Sequence, residues 1–409
     1  MSTNNARRRL VSIAAVTATA ALSLVACSGN PVTGDDNGDD ASPAASERES
    51  EANPVQLQAN VAKSADNVQV DRVVSVSATD GTIENVQMFS GRNVPKNRVE
   101  GEVTDEGSKW TATGSLEPGT TYRIVMKGAN ANGEAVTERR SFTTQELTLD
   151  QQTYASIAPL DGATVGVAMP IIVTFDIPVK NKAAIERKLE VESKPKVEGT
   201  WSWLSDNTVH YRPKKYWPAG TKVTVNAKIN SVKAGPNLWG QENNSASFTV
   251  GDAVESVVDV ANHKMTVKVN GKVAKTLPIT TGKAGFETRA GTKVIMEKYD
   301  VKRMDAATTG ISENDPEYYN IPDVQWAMRV TGSGEFIHAA PWSVGSQGAA
   351  NVSHGCVGLS TSDAKWLYDM SNIGDPVKFI NSPRTLEAGN GWTDWDQSYQ
   401  QFKRGSALS

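Results

Sequence analysis

Cysteine and histidine are scarce in this sequence, which restricts where thiol or imidazole chemistry can occur. The 409 residues include two cysteines, Cys27 and Cys356, and four histidines. The histidines are His210, His263, His338 and His354. A nucleophilic, metal-binding or redox site built on these side chains therefore has few candidate positions.

The sequence also lacks an excess of positive charge and any long repeat of glycine and proline. Its 42 basic and 46 acidic residues give a net charge of −4, which is not the charge of a nucleic-acid-binding surface. The composition, 38% hydrophobic and 22% charged, is typical of globular proteins and excludes a fully disordered or collagen-like chain. At roughly 100–200 residues per domain, the length predicts two to four domains.

The N-terminus has the features of an export signal. Three arginines, Arg7–Arg9, precede an apolar, alanine-rich run over residues 10–26. The run leads into Leu-Val-Ala-Cys ending at Cys27, which resembles a lipobox, where the signal peptide is removed and the cysteine is lipidated. We therefore expect a signal peptide over residues 1–26 and a lipid anchor on the outer face of the cell membrane, with the protein reaching into the wall. An uncleaved membrane anchor is the alternative, and Sec or twin-arginine export stays open.

Residues 27–54 are predicted to be a flexible tether that begins at the lipidated cysteine. From 28 to 54 the chain has no aromatic residue and carries seven acidic residues against one basic residue, Arg48. Such a segment cannot bury enough apolar surface to fold, so it would hold the following domains away from the membrane. If Cys27 is lipidated, Cys356 has no partner in the chain, and a lone exported thiol must be buried or used.

Two β domains are predicted to follow, over residues 55–147 and 148–250. Both contain short β-rich segments separated by Asp-Gly, Pro-Gly and similar turn sequences. A loose internal repeat relates the segment from Trp110 to Phe142 to the segment from Trp203 to Phe248. The pattern predicts two successive immunoglobulin-like β-sandwiches with a scaffolding role.

Residues 251–382 are predicted to form a third, mostly β domain with a short helix. Alternating strands flank the hairpin turn Asn270-Gly271, and a helix begins near Ser362. The polar stretch from Tyr299 to Trp326 has few strand signals, so we expect a long loop that covers a site as a lid.

The last segment, residues 383–409, is predicted to be a C-terminal helical extension. Its aromatic residues recur at spacings of 3, 4 and 3, as on one face of a helix. They are Trp392, Trp395, Tyr399 and Phe402. We expect this face to pack back on the preceding domains.

The candidate site lies around Cys356, because two of the four histidines occur within eighteen residues of it. A cysteine nucleophile needs a base that removes its proton and backbone N–H groups aimed at the developing oxyanion. On an extended strand His354 would point to the opposite face from Gly355, whereas His338, on a neighbouring strand, is free to face the thiol. His338 is therefore the predicted base, His354 has a supporting role, and Gly355 lets substrate approach the main chain.

Three alternatives to a cysteine nucleophile stay open from the residues alone. Cys356 could be a structural residue among core histidines, since cysteine is often buried. Cysteine and histidine together could hold zinc, but no short ligand pair such as CxxC or HExxH accompanies them, so no metal is expected. A redox thiol would lack a second cysteine to resolve it.

The residues around Cys356 resemble a known catalytic signature. The sequence Ser353-His354-Gly355-Cys356, preceded by His338, resembles that of the L,D-transpeptidases, whose catalytic domain is of the YkuD type. Segments 338–343 and 351–356 are similar to an actinobacterial subgroup with a lipobox, two immunoglobulin-like domains, the catalytic domain and a C-terminal extension. The resemblance covers nearly the whole chain after the tether and implies a mainly β fold in that order.

The resemblance implies a transpeptidase that acts on peptidoglycan stem peptides and needs no cofactor. Cys356 would attack the carbonyl of meso-diaminopimelate in a donor tetrapeptide and release D-Ala. The side-chain amine of an acceptor stem would then resolve the thioester into a 3→3 cross-link. His338 would be the general base, and backbone N–H groups of Gly355 and Cys356 would form the oxyanion hole. Ser353 and His354 would support this arrangement.

The resemblance also implies which residues line the pocket. The substrate-binding residues would be Met304, Tyr319, Trp342 and Asn351, although the neighbouring Tyr318 leaves the register of the tyrosine open. Carbapenem-type β-lactams would acylate the same cysteine and act as inhibitors.

Two positions depart from the family pattern. Gly358 lies where relatives often carry Asn or Arg, and Thr309 lies in the lid where some relatives have an aromatic residue. The first change removes a side-chain contact to substrate, and the second predicts a more open lid.

The sequence leaves the acceptor of the acyl group open. Water would make the chain an L,D-carboxypeptidase, and a protein amine would make it an enzyme that attaches proteins to the wall. A non-enzymatic wall-binding lipoprotein with an inert thiol is the third possibility, suggested by the immunoglobulin-like repeats.

Overall fold

The computed structural model describes residues 53–92 and 94–409. The predicted signal peptide, the lipidation site Cys27 and the tether up to residue 52 lie outside the described residues. Within the described part of the chain, no helix has the length and apolar character needed to cross a membrane.

The first domain is a sandwich of two sheets whose strands pair mostly in antiparallel orientation. Its strands are β1 (Gln56–Ala59), β2 (Ala65–Val68), β3 (Ser75–Thr79), β4 (Thr82–Ser90), β5 (Arg98–Val99), β6 (Gly101–Thr104), β7 (Lys109–Ala112), β8 (Thr121–Ala129) and β9 (Ala135–Thr144). The sheets have the strand orders β1-β3-β7-β6 and β2-β9-β8-β4-β5. Side chains alternate along β8, so Tyr122, Ile124 and Met126 are buried in the core between the sheets.

The second domain repeats this architecture with a larger core. Its elements are β10 (Gln152–Thr153), β11 (Ala155–Ala158), β12 (Thr164–Val165), β13 (Ile171–Phe175), α1 (Lys182–Glu186), β14 (Leu189–Lys194), β15 (Gly199–Trp203), β16 (Thr208–Pro213), β17 (Lys222–Ala227), β18 (Lys233–Gly235), β19 (Leu238–Gly240) and β20 (Asn244–Val250). Two four-stranded sheets, β11-β13-β16-β15 and β12-β20-β17-β14, enclose Trp217 and Phe248, and β10-β19-β18 form a small third sheet.

The third domain contains two sheets, one α-helix of about three turns and two short 3-10 helices, Ala306–Thr309 and Pro341–Ser346. Its elements are β21 (Val254–Asp259), β22 (Lys264–Val269), β23 (Lys272–Pro278), β24 (Gly291–Val294), β25 (Glu297–Asp305), β26 (Asn320–Arg329), β27 (Phe336–Ala339), β28 (Val357–Leu359), α2 (Thr361–Met370) and β29 (Pro376–Ile380). The sheet orders are β23-β22-β21-β29-β24 and β25-β26-β27-β28. The Oγ of Ser360 accepts from the backbone N–H of Asp363 and caps α2, which buries Ala364 and Leu367 in the core.

The predicted long loop before Trp326 is mostly a β-hairpin. β25 and β26 pair from Glu297 with Arg329 to Asp305 with Asn320, so only residues 306–319 remain at the tip. Many residues of this hairpin face solvent, so the two strands can pair without alternating apolar and polar residues. The sequence therefore lacks the alternation by which strands are recognised. We call residues 306–319 the lid.

The C-terminal extension is less helical than its aromatic spacing predicts. Only α3 (Tyr399–Lys403) is an α-helix. Gly389 and Gly391 have φ values of +79° and +95°, which are incompatible with a continuous helix over the preceding residues.

The aromatic residues of the extension nevertheless pack on the second domain. The guanidinium of Arg212 on β16 lies 4.5 Å from the ring of Trp395 and 4.9 Å from that of Phe402. Asp394 contacts the buried His210 at 2.8 Å, and the carboxylate of Asp396 accepts from the N–H of Thr292 in the third domain. The predicted order of two β-sandwiches, a mostly β domain with a short helix and a C-terminal extension is confirmed.

Candidate active site

Cys356 and His338 lie in one cleft of the third domain. β27 and β28 run parallel, and His338 is in register with Gly358. Cys356 lies two residues before Gly358, so side-chain alternation places it on the same face as His338. Both side chains are largely buried and line a cleft of about 190 Å³. The structure thus brings together the residues predicted as nucleophile and base.

The tautomer of His338 is set by the backbone beside it. Its Nδ1 lies 2.8 Å from the carbonyl oxygen of Ala339, and because a carbonyl oxygen only accepts, Nδ1 carries a proton. Burial lowers the pKa of His338, and this effect exceeds the opposing one of the carbonyl. A neutral ring of this tautomer leaves Nε2 with a free lone pair, as a general base requires.

The thiol of Cys356 is held in its protonated form. Burial raises the pKa of Cys356 to about 11. Its Sγ donates a weak hydrogen bond to the carbonyl oxygen of Gly334 at 3.7 Å. Since both the thiol and His338 are neutral, attack on a carbonyl would accompany proton transfer to His338 rather than start from a preformed ion pair.

Residues 353–356 form a tight turn that fixes the backbone at Cys356. The Oγ of Ser353 donates to the carbonyl oxygen of Cys356 at 2.7 Å and accepts from the N–H of Gly355 at 3.1 Å. Gly355 has a φ of +123°, a conformation that residues with a Cβ rarely adopt. The buried hydroxyl of Thr288 donates to the carbonyl oxygen of Gly355 at 2.7 Å. Ser353 and Thr288 therefore hold the turn from both sides.

The backbone N–H groups of Gly355 and Cys356, which are expected to form an oxyanion hole, differ in whether they already donate a hydrogen bond. The N–H of Gly355 is occupied by the Ser353 hydroxyl, as described above. The N–H of Cys356 has no acceptor among the described residues. Only the N–H of Cys356 can bind an oxyanion without a change in the turn.

His354 lies at the edge of the same cleft and contacts the lid. Its Nε2 lies 2.7 Å from Oε2 of Glu317, and its ring packs between those of Phe286 and Tyr319, 4.6 Å and 5.0 Å away. The Lys283 ammonium, and after it His354, holds the pKa of Glu317 below its usual value. With its Nε2 engaged in this way, His354 supports the lid and is less suited than His338 to act as a base.

Two clefts meet at Cys356. The first is the one shared with His338, and the second, of about 310 Å³, is lined by Arg329, Ser333 and Thr309 among others. Met304 and Tyr319 border both clefts together with the cysteine. A carbonyl bound beside the thiol is therefore accessible from two directions.

The aromatic residues predicted to bind substrate reach the first cleft. Of the two neighbouring tyrosines, Tyr319 faces this cleft, whereas the hydroxyl of Tyr318 accepts from Nδ2 of Asn320 at 3.2 Å on the lid surface. Trp342 is 57% exposed, and its ring lies 5.9 Å from that of His338. It forms an outer wall of the cleft above the predicted base.

The amide of Asn351 is used inside the protein and does not line either cleft. Its Oδ1 accepts from the backbone N–H and the hydroxyl of Thr281 at 3.0 Å and 2.7 Å and contacts His263 at 3.0 Å. Its Nδ2 donates to the carbonyl oxygen of Val260. Asn351 therefore lies away from the clefts where it was predicted to bind substrate, and its amide anchors the segment that leads into the turn at residues 353–356.

Gly358 and Thr309, the departures from the family pattern, occupy different clefts. A Cβ at Gly358 would lie 2.8 Å from Cγ2 of Thr280 and 3.0 Å from Cβ of Ala340, so a longer side chain needs a shift of its neighbours. Thr309 borders the second cleft, and its hydroxyl donates to the carbonyl oxygen of Ala306 within the lid.

A group of charged residues that no sequence pattern indicated lies beneath the turn. Glu335 contacts Lys293 and Arg289, and all three are largely buried. They lie on separate strands and loops, and no local motif links them, so the sequence carried no signal of the cluster. No group of three or more His, Cys, Asp or Glu side chains in residues 53–92 and 94–409 is arranged to hold a metal ion.

Comparison with known proteins matches two segments of the chain to families. Residues 65–233 match the family described as a bacterial Ig domain, and residues 254–379 match the L,D-transpeptidase catalytic domain. L,D-transpeptidase 2 of Mycobacterium tuberculosis is 35% identical over 352 residues, which is 86% of this chain and 85% of the relative. L,D-transpeptidase 5 of the same species is also 35% identical, over 85% of this chain and 76% of the relative.

A solved structure gives a further likeness. The L,D-transpeptidase LdtMt1 in complex with imipenem has 38% identity and a TM-score of 0.49, over 56% of this chain and 99% of the other. The Ig-domain match precedes the catalytic-domain match along the chain, and the relatives named above are similar to this chain over more than four fifths of its length. The chain belongs to the L,D-transpeptidase family of enzymes.

Proposed function

We propose that this enzyme forms 3→3 cross-links between peptidoglycan stem peptides through a thioester on Cys356. The observation that carries the proposal is the pairing, in one cleft, of a neutral thiol with a neutral histidine whose Nε2 is free to accept a proton. Membership of the L,D-transpeptidase family supports the same reaction class.

Acylation is the first half of the proposed reaction. Nε2 of His338 takes the proton of Cys356 as Sγ attacks the carbonyl of the third residue, meso-diaminopimelate. The N–H of Cys356 donates to the oxyanion of the tetrahedral intermediate. The protonated His338 then gives its proton to the nitrogen of the leaving D-Ala as the C–N bond breaks, and the tripeptide remains as a thioester.

Deacylation by an amine is the second half. The side-chain amine of a neighbouring diaminopimelate attacks the thioester, and His338 removes a proton from the attacking nitrogen. The C–S bond breaks, the sulfur regains a proton, and a new amide links the two stems. The two clefts that meet at Cys356 support this scheme, since donor and acceptor must approach one carbon atom from different sides.

The acceptor decides between this reaction and its closest alternatives. Water in place of the amine would give an L,D-carboxypeptidase, and a protein amine would attach that protein to the wall. The family membership leaves no support for the non-enzymatic wall-binding alternative.

Muropeptide analysis separates these outcomes. Protein spanning residues 53–409 would be incubated with a purified disaccharide-tetrapeptide ending in diaminopimelate-D-Ala. A 3→3 dimer that disappears with Cys356→Ala supports the proposal. Tripeptide without dimer would instead favour the carboxypeptidase, and dimer formation by Cys356→Ala would rule out the thioester.

We also propose that carbapenems inhibit the enzyme by the same acylation step. A strained β-lactam carbonyl is an electrophile for the activated thiol, and ring opening keeps the drug attached because no leaving group departs. One added drug mass on the wild type and none on Cys356→Ala would support this.

The lipid anchor and the location outside the cytoplasm are likewise proposals. They are supported by Arg7–Arg9, the apolar run and Cys27 in the sequence. The test is the mass of the N-terminal peptide of the mature protein, which should begin at a diacylated Cys27. A mature protein that keeps residues 1–26 would contradict the proposal.

A further inference from the structure

A cluster of three buried charges lies directly beneath the catalytic turn. The ammonium of Lys293 on β24 contacts Oε2 of Glu335, and the guanidinium of Arg289 contacts Oε1 at 3.0 Å. Lys293 and Glu335 are 1% and 4% exposed. We call Arg289, Lys293 and Glu335 the charge cluster.

The charge cluster touches the turn through Glu335. A Cβ at Gly355 would lie 3.6 Å from Cγ and 3.7 Å from Oε1 of Glu335. The side chain of Glu335 therefore lies next to the turn, on the side where a residue other than glycine would have its Cβ. The preceding residue, Gly334, accepts the hydrogen bond from the thiol of Cys356. Arg289 follows Thr288, which donates to the carbonyl oxygen of Gly355. Both sides of the turn are therefore attached to residues of the cluster or to their direct neighbours.

Stability alone is a weak reason for charges in this place. Removing two ions from water offsets most of their attraction, and apolar replacements of a buried pair are often as stable. The effect of a charge on a nearby ionisable group, however, is large where the effective dielectric constant is low. Within the cluster two cations face one anion, while Arg289 also pairs with the half-exposed Glu387 outside it. Lys293 lies over the ring of Phe379 at 3.7 Å in a fully enclosed position.

We propose that Lys293 and Glu335, braced by Arg289, are positioning residues of the active site that hold the Gly355–Cys356 turn and control ionisation of the Cys356 thiol without contacting substrate. The proposal rests on the role of Cys356 as the nucleophile. It assigns opposite effects to the two charges: Lys293 favours the thiolate, and Glu335 disfavours it. The pKa of Cys356 responds to them in these two directions, beneath the larger effect of burial.

Other charged or titratable groups around the thiol stay constant in the test. They are Arg329 on β26, His338 on β27, Tyr319 at the end of the lid and His354 in the turn itself.

The experiment is the pH dependence of alkylation of Cys356 by iodoacetamide. Protein spanning residues 53–409 contains all three hydrophobic cores and has Cys356 as its only cysteine. Lys293→Met should raise the thiol pKa and slow alkylation at pH 7 by ~3–10-fold, whereas Glu335→Gln should lower the pKa and speed alkylation by a similar factor. Glutamine can still accept from Arg289, so the second variant tests charge more than shape.

The double variant Lys293→Met/Glu335→Gln guards against loss of folding in a single variant. It removes both charges of the Lys293–Glu335 pair, so neither is left buried without its partner. Because the two expected effects on the thiol pKa are opposite, the double variant should alkylate at a rate near that of the wild type. If Lys293→Met does not fold, comparing the double variant with Glu335→Gln still isolates the removal of the lysine charge, and alkylation should slow.

Shifts of opposite sign support the proposal, and shifts of the same sign, or none, overturn it. The matched control is Lys275→Met, because Lys275 pairs with Asp363 at 2.6 Å on the rim of the domain and should leave the alkylation profile unchanged. Alkylation needs no peptide substrate. A wild type that alkylates but never cross-links would therefore contradict the proposed function, while the signs of the two shifts would still decide this inference.

Discussion

The Nε2 atom of His354 lies 2.7 Å from Oε2 of Glu317, so the turn at residues 353–356 and the lid are joined by a hydrogen bond. Lys283 pairs with the same carboxylate, and the rings of Phe286 and Tyr319 enclose the imidazole. The lid therefore rests on the residue next to Gly355. A change in this contact should alter substrate binding more than the chemistry at Cys356.

Replacing Glu317 by alanine should loosen the lid over the first cleft. We expect the KM for the donor peptide to rise ~2–10-fold with a smaller change in kcat, because a partly exposed pair contributes modestly. Steady-state release of D-Ala measures both constants. Glu313→Ala is the control, since Glu313 is exposed on the same lid and has no bonded partner among the described residues. Equal effects of the two variants would contradict the role of this contact.

The assignment of His338 as the base predicts a large loss in its glutamine variant. His338→Gln keeps a hydrogen-bonding side chain but removes the proton acceptor, so acylation should slow by ~10²–10⁴-fold. His263→Gln is the comparison, because His263 contacts Asn351 and lies outside both clefts. The rate of carbapenem adduct formation, followed by intact mass, is the readout. Losses of similar size in the two variants would contradict the assignment of His338 as the base.

Gly358 is predicted to be intolerant of even a methyl group. Gly358→Ala would place a Cβ 2.8 Å from Thr280 and 3.0 Å from Ala340, and such overpacking costs ~1–3 kcal/mol. Urea unfolding should show the loss of stability, and donor binding should weaken because the floor of the first cleft moves. Gly345→Ala, exposed and with no atom near its Cβ position, is the matched control. An unchanged unfolding midpoint for Gly358→Ala would refute this account of the packing.

The order of the domains and the placement of Cys356 and His338 in one cleft could be predicted from sequence because each rests on a local pattern. Short strands between turn residues indicated the sandwiches, and the scarcity of histidine left His338 and His354 as neighbours of Cys356. Parallel pairing of β27 with β28 then places His338 beside the cysteine, as strand alternation requires.

The remaining features depend on contacts between distant segments. The charge cluster unites residues 289, 293 and 335, and nothing in their own surroundings marks them as partners. The amide of Asn351 lies within the signature, yet its partners Thr281 and Val260 come from other strands or loops. The aromatic spacing of the extension indicated a helix, but the glycines at 389 and 391 and packing around Arg212 produce a mostly irregular chain.

Asp375 should make the stability of the protein depend on pH. Its side chain is buried where the second and third domains meet, beside Gly166, and burial raises its pKa from 3.8 to about 7. Between about pH 4 and pH 7 the unfolded chain loses this proton while the folded chain keeps it. The stability contributed by the protonated Asp375 is therefore complete below about pH 4 and is lost as the pH rises to about 7. Over this range the free energy of unfolding falls by about 1.4 kcal/mol per pH unit.

Asp375→Asn tests this dependence because asparagine does not titrate. Relative to the wild type, the variant should gain stability steadily from about pH 4 to pH 7 and no further above it. Urea unfolding at several pH values measures the difference, and Asp323→Asn, at an exposed position on β26, is the control. A constant difference between variant and wild type across this range would contradict the assignment.

In the proposed reaction, Cys356 carries the acyl group during transfer. The most direct measurement is intact mass after brief mixing of residues 53–409 with the donor tetrapeptide, without added acceptor. We predict a species heavier by the donor minus D-Ala, mapped to Cys356 and reversed by hydroxylamine, and its absence in Cys356→Ala. The same adduct on the alanine variant, or D-Ala release with no dependence on Cys356, would contradict the account.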